Sequence, residues 1–147
     1  MNEDFVSYEL AVKLKECGFN EPCRAHYTND YVNDDPEDVS REVKFHYDWT
    51  SPYNYNRVIG NTSAPTLWHA QKWLREKWSI HVDACVFSDH STDADGNVCD
   101  RWDFWGFDLY AVVGGEKMIE DDGEYDSYEQ ALSEGISAAL ELIKKGE

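Results

Sequence analysis

Apolar residues recur at two periods along this chain, and the switches between them divide it into elements. From Ser7 to Cys17, Leu10, Leu14 and Cys17 fall on one helical stripe with Ala11 beside them, and Gly18 supplies a C-terminal stop. Pro22 to Tyr27 predicts a strand, and Thr28 to Ser40, rich in Asn, Asp and Pro, predicts an exposed acidic loop. Arg41 to Trp49 alternates, with Val43, Phe45, Tyr47 and Trp49 on one side and Glu42, Lys44, His46 and Asp48 on the other, the pattern of a half-buried strand. Thr50 to Asn61 predicts a loop. Ser63 as N-cap and Pro65 in the first turn open a second helix that runs to Trp78, with Leu67, Ala70, Leu74 and Trp78 on its buried stripe and Trp73 beside it. The period then changes to two. Ser79 to Phe87 puts Ile80, Val82, Ala84 and Val86 on one face, and Trp102 to Val113 does the same with Trp105, Phe107, Leu109, Ala111 and Val113. Gly114-Gly115 turns into a short strand at Lys117 to Glu120. The last helix, Ser127 to Lys145, carries the stripe Tyr128, Ala131, Leu132, Ile136, Ala139, Leu140 and Ile143, with acid at its positive end and Lys144-Lys145 at its negative end.

These elements predict an α+β fold in one domain, 1–147. Its core, 61–147, is α-β-β-β-α, a three-stranded antiparallel sheet with helices on one face. Residues 1–60 add a helix and one or two strands. Ser7-Tyr8-Glu9-Leu10-Ala11-Val12 echoes Ser127-Tyr128-Glu129-Gln130-Ala131-Leu132, and shared capping chemistry explains this as well as duplication does. The core has the element order of double-stranded-RNA-binding modules. Those modules set basic residues at the start of the last helix, where this chain has Asp121, Asp122, Glu124, Asp126 and Glu129. Charge excludes the same function from another side: 30 acidic against 13 basic residues give a net charge of −17. Such a chain repels phosphate backbones and anionic membranes and attracts cationic surfaces. Apolar residues are 41% of the chain, enough for a core, and no stretch is long and apolar enough to span a bilayer. Met1-Asn2-Glu3-Asp4-Phe5 carries no signal-peptide pattern, so a cytoplasmic location and four reduced cysteines are the expectation.

Candidate chemistry is sparse. Ser88 to Asp100 holds Ser91, Asp93, Asp95, Gly96 and Asn97 in the first half of an EF-hand-like pattern. Trp102 then occupies the twelfth position, where a bidentate glutamate belongs. The segment is expected to be a mobile, solvated hairpin loop, with Asp89, Asp93, Asp95 and Asp100 at most a weak cation site. Cys85, His90 and Cys99 have donor types that suit zinc, at spacings that do not. The sheet face away from the helices collects His81, Asp83, Cys85 and Phe87 from one strand and Trp102, Phe104, Asp108 and Tyr110 from the next. That face is either open or covered by the N-terminal segment. His81, Asp83 and Asp108, with Tyr110, would serve a ligand-binding or acid–base role; Trp102, Phe104 and Tyr110, with the acidic Asp121, Asp122 and Glu124, would serve a protein partner. No phosphate loop, nucleophile elbow, dinucleotide fingerprint or metalloprotease helix is present, and no cofactor is implied.

Three stretches, Leu14 to Cys23, Ser63 to Lys77 and Tyr125 to Leu132, resemble small acidic proteins of bacteria and their phages or other mobile elements. The resemblance covers helix starts and stops and brings no activity with it. It implies an accessory protein. Together with the charge and the absence of catalytic motifs, it makes a non-catalytic interaction protein with a basic, or nucleic-acid-binding, partner the leading expectation. A small-ligand or enzyme role on the His81, Asp83 and Tyr110 face is the alternative.

Overall fold

The computed structural model describes residues 4–146, except the side chain of Asp122. The chain is α+β and divides into two compact units, described residues up to Ala70 and residues Gln71–Lys145, with Gly146 grouped with the first. The division falls inside a helix, ten residues beyond the 60/61 boundary expected from sequence.

In the first unit, helix α1 (Tyr8–Glu16) starts where its pattern predicts. Ser7 Oγ accepts from the Leu10 amide at 3.2 Å, and Leu10, Ala11 and Leu14 are buried. Strand β1 (Ala25–Tyr31) pairs antiparallel with β2 (Arg41–Tyr47) on one side and with the short β3 (Asn61–Ser63) on the other. One or two strands were expected here, and among the described residues there are three. β1 runs on into the segment read as loop, because its polar Thr28, Asn29 and Asp30 find ladder partners on β2. Ser63 is not a helix cap. It is fully buried in β3, where Asn56 clamps it: the Ser63 amide donates to Asn56 Oδ1 at 2.8 Å, and the Asn56 amide donates to Ser63 Oγ at 3.2 Å. Helix α2 (Leu67–Lys77) starts later, and Thr66 Oγ1 accepts from the His69 amide at 3.1 Å in the capping role.

The second unit holds the rest of α2, the sheet β4 (Ile80–Thr92), β5 (Val98–Ala111) and β6 (Lys117–Tyr125) in that order, and helix α3 (Tyr128–Gly146). This is the α-β-β-β-α core read from sequence. Leu132, Ile136, Ala139 and Leu140 are fully buried on α3. Gly135 lets that helix close on the sheet, since a Cβ there would come within 2.6 Å of Val82 and 3.1 Å of Phe107. Ser127 Oγ accepts from the Gln130 amide at 3.1 Å, so both serines of the internal echo are N-caps.

Two expectations are corrected here. Ser88 to Asp100 is not a loop along its whole length. The β4–β5 ladder continues to Thr92 and Val98, and only 93–97 turn. Asp93 closes that turn by accepting from the amides of Asp95 and Asn97, each at 2.9 Å. Asp121 and Glu124 do not open the last helix. They lie in β6, where Trp105 pairs with Tyr125 but Phe107 pairs with Asp121, so the residues between Asp121 and Tyr125 form a bulge with Glu124 at φ +55°. The strands themselves are legible in the sequence; their polar extensions, residues 88–92 with 98–101 and residues 121–125, are not, because they bury no apolar face. Val86 and Val113, expected on the buried face, are 54% and 83% exposed. Val86 lies on the edge strand of its sheet, and Val113 lies in the turn after β5.

Candidate functional site

The register of β4 on β5 sets His81 opposite Tyr110, Asp83 opposite Asp108, Cys85 opposite Gly106, Phe87 opposite Phe104 and Asp89 opposite Trp102. All lie on the sheet face that α3 does not cover, as the two-residue period requires. Sequence reasoning placed His81, Asp83, Asp108, Tyr110, Phe104 and Trp102 on this face; the register brings His81, Asp83, Asp108 and Tyr110 together and sets Phe104 and Trp102 further along the strands. Asp121 pairs with Phe107, on the helix side, so it belongs to the opposite face. Glu124 projects from the bulge, and the side chain of Asp122 lies outside the described residues.

Asp108 is the centre of this face. It is 7% exposed, and its Oδ2 accepts from the Tyr110 hydroxyl at 3.2 Å and, more weakly, from the Cys85 thiol at 3.7 Å. Its Oδ1 has no hydrogen bond and faces the Lys117 ammonium at 3.7 Å; Lys117 in turn donates to Glu120 at 3.2 Å. Across the three strands, Asp83, Asp108 and Glu120 thus form a row of carboxylates. Like charges in that arrangement repel, and Lys117 is the cation that sits on the row. Sequence reasoning missed Lys117 because its partners depend on the β5–β6 register. Burial, then the charges of Asp108 and Asp83, push the Cys85 thiol up to about 11. Burial and the hydrogen bond to Asp108 raise the Tyr110 phenol, and the hydrogen bond to Glu120, with Asp108 adding to it, raises the Lys117 ammonium. At neutral pH the thiol and phenol keep their protons, so neither is poised as nucleophile or base. His81 and Asp83 share the face without a hydrogen bond between them, and His81 Nδ1 is buried without a partner.

Further out, the sheet narrows. β6 pairs with β5 only between Trp105 and Tyr110, so Phe87–Thr92 and Val98–Phe104 project as a two-stranded arm. At its root the Phe87 ring stacks on Phe104, centroids 5.9 Å apart, and lies against Gly106. The arm carries Asp89, Asp93, Asp95, Asp100 and Asp103 against Arg101, with Trp102 42% exposed. Among the described residues no group of His, Cys, Asp or Glu is gathered as a metal site. Cys85 sits at Asp108, away from His90, which pairs with Arg101 on the arm.

The first unit holds a second group that sequence spacing gave no sign of. His69 Nε2 and Glu21 Oε1 meet at 2.6 Å beside a cleft of about 240 Å³ lined in part by Cys23, Arg24, Tyr47 and Pro52. A cysteine, a histidine and a carboxylate in one place suggest nucleophilic catalysis. However, Cys23 is 4% exposed, and burial, with Glu21 adding to it, pushes its thiol up to about 12, the opposite of activation. Tyr47 and the 77% exposed Trp49 pack edge to face nearby. Comparison with protein-family models, with curated proteins and with solved structures found no match for this chain.

Proposed function

We propose that this protein is a non-catalytic interaction protein that docks on a basic partner protein through the acidic, aromatic arm of its second unit. The carrying observation is the arm itself. Two strands run beyond their sheet with aspartates on both faces and a half-exposed tryptophan, an arrangement that gives little to a core and much surface to a partner. The protonated states of Cys85, Tyr110 and Cys23 support a non-catalytic reading. The net charge of −17 supports a basic partner. Occupation of a nucleic-acid-binding protein by phosphate-like carboxylates is one form of this reading. A place as an accessory protein of a bacterial or phage mobile element rests on the sequence resemblance alone.

The test is affinity capture from host lysate with the wild-type protein and with the variant Asp89→Asn, Trp102→Ala, Asp103→Asn. A basic protein retained by the first and lost by the second, with both equally folded by circular dichroism, is the expected outcome. The same partners on both proteins would sink the proposal.

A further inference from the structure

Among the described residues the two sheets have four edge strands, and these are not equally protected. β3 has only three residues. β2 carries Arg41 and Lys44, and β6 carries Lys117 and the bulge before Tyr125. Each is a known way of blunting an edge against pairing with another chain. β4 is the least protected: 13 residues without lysine, arginine, proline or glycine, with Asp83 and Asp89 as its acidic residues, in unbroken register from Ile80 to Ser91 and shifted only at its far end, between Ser91 and Thr92.

Its outer edge is sealed at two points by side chains. Gln71 Nε2 donates to the Val82 carbonyl at 2.7 Å, and the His90 amide donates to Asp89 Oδ1 at 2.7 Å. In an antiparallel strand the N–H and C=O of alternate residues point to the same side, so Ala84, Val86 and Ser88 present theirs outward between the two seals. Among the described residues β4 pairs only with β5, which leaves that stretch of edge without a backbone partner. Val86, in its middle, is 54% exposed. Asp83 and Asp89 flank it on one face, and among the described residues neither forms an ion pair.

We infer that the β4 edge from Val82 to His90 is a docking edge for an extended basic segment of a partner protein, which adds as a further strand with lysine or arginine opposite Asp83 and Asp89. This inference rests on the basic-partner reading above and adds the mode of binding. Main-chain hydrogen bonds would supply the affinity, and the flanking carboxylates the selectivity. A second copy of this chain is the rival occupant. Two chains of −17 each repel one another, which favours the basic strand.

The probe is a short peptide of alternating lysine and valine, titrated into the full-length protein. Its controls are the same peptide N-methylated at alternate residues, in the two possible phases, and an alternating glutamate–valine peptide. The lysine peptide is expected to bind saturably and to slow hydrogen exchange at the Ala84, Val86 and Ser88 amides. One N-methylated phase, which loses several edge hydrogen bonds, is expected to bind at least about tenfold more weakly. Val86→Pro, which removes an outward N–H that β5 does not use, should reduce binding to the same degree; the N-methylated peptides make the same test without altering the protein. Equal binding by all three lysine peptides would overturn the edge mode while leaving the basic-partner reading in place. No binding by any lysine peptide would overturn both. Concentration-dependent dimerisation abolished by Val86→Pro would assign the edge to a second copy instead.

Discussion

Gly106 shows what a single residue decides on this sheet. It stands opposite Cys85, and a Cβ there would come within 2.5 Å of the Asp121 carbonyl and 2.6 Å of the Phe87 ring. The close approach lets Phe87 cover the strand at the root of the arm and stack on Phe104. Gly106→Ala should therefore cost about 1–3 kcal/mol in chemical denaturation, the range for overpacking, and should disturb the Phe87 ring resonances. A neutral substitution would show that the ring has another seat. The sequence shows a glycine inside a strand pattern, but not its reason, because that depends on which residue stands across the sheet. His26 poses a similar case. Its ring lies between Tyr55, at 3.9 Å, and the cross-strand His46, at 5.0 Å. Burial, then His46, lowers its pKa below the ordinary 6.5, against a smaller upward pull from Asp48. Between that lowered value and 6.5 the unfolded chain binds more protons, so stability rises with pH. The β1–β2 sheet should lose stability as pH falls below 6.5, and the loss should level off once His26 is protonated in the folded state. Melting curves of the wild type and of His26→Gln across that window would check this, and equal pH slopes would count against it.

Elements with a periodic apolar pattern were legible, and stretches without one were missed; β2 was read from its alternation although it is largely exposed rather than half-buried. Helix α3 is the clearest success, since Leu132, Ile136 and Leu140 at four-residue spacing are all fully buried. Ile136→Ala should cost about 2–5 kcal/mol through lost transfer free energy and a residual cavity; a loss below about 1 kcal/mol would contradict that packing. The arm is the clearest failure. Ser88 to Asp100 reads as a loop because it has turn residues and no apolar alternation, yet antiparallel pairing needs only backbone groups and compatible neighbours. Asp93 supplies the rest by accepting amide hydrogen bonds, which also lower its pKa. With Asp93 engaged in this way and Trp102 in place of a bidentate glutamate, calorimetric titration should show no calcium affinity tighter than about 10 µM. Tighter binding would make the turn a cation site. The candidate site follows the same logic. Its face, with His81, Asp83, Asp108 and Tyr110, could be read from a two-residue period. Lys117 and the His69–Glu21 pair could not, because the contacts that make them matter cross from one element to another.

At the scale of the whole molecule, architecture and charge point to different functions, and electrostatics decides between them. The elements α2, β4, β5, β6 and α3 follow the α-β-β-β-α order of a double-stranded-RNA-binding module, with α3 packed on one face of the antiparallel sheet. Recognition of duplex RNA depends on cations that meet phosphate across the grooves. Here the entry to α3 carries Asp126 and Glu129, the preceding bulge Glu124, and the arm a majority of aspartates. The positive end of the α3 dipole is thus already answered by the protein's own carboxylates. Lys144 and Lys145 lie at the far end of the same helix, and Lys117 is engaged with Glu120 and Asp108. With 30 acidic and 13 basic residues, long-range repulsion would act before any local patch could form contacts. The isolated protein should therefore bind neither duplex RNA nor duplex DNA at physiological salt. Fluorescence anisotropy with a labelled duplex of each kind checks this. Lowering the salt should leave the result unchanged, because weaker screening strengthens the repulsion as well. Binding at micromolar concentration or tighter, strengthening as salt is removed, would mean that a cationic surface operates despite the net charge, and that the fold's element order is the better guide to its function.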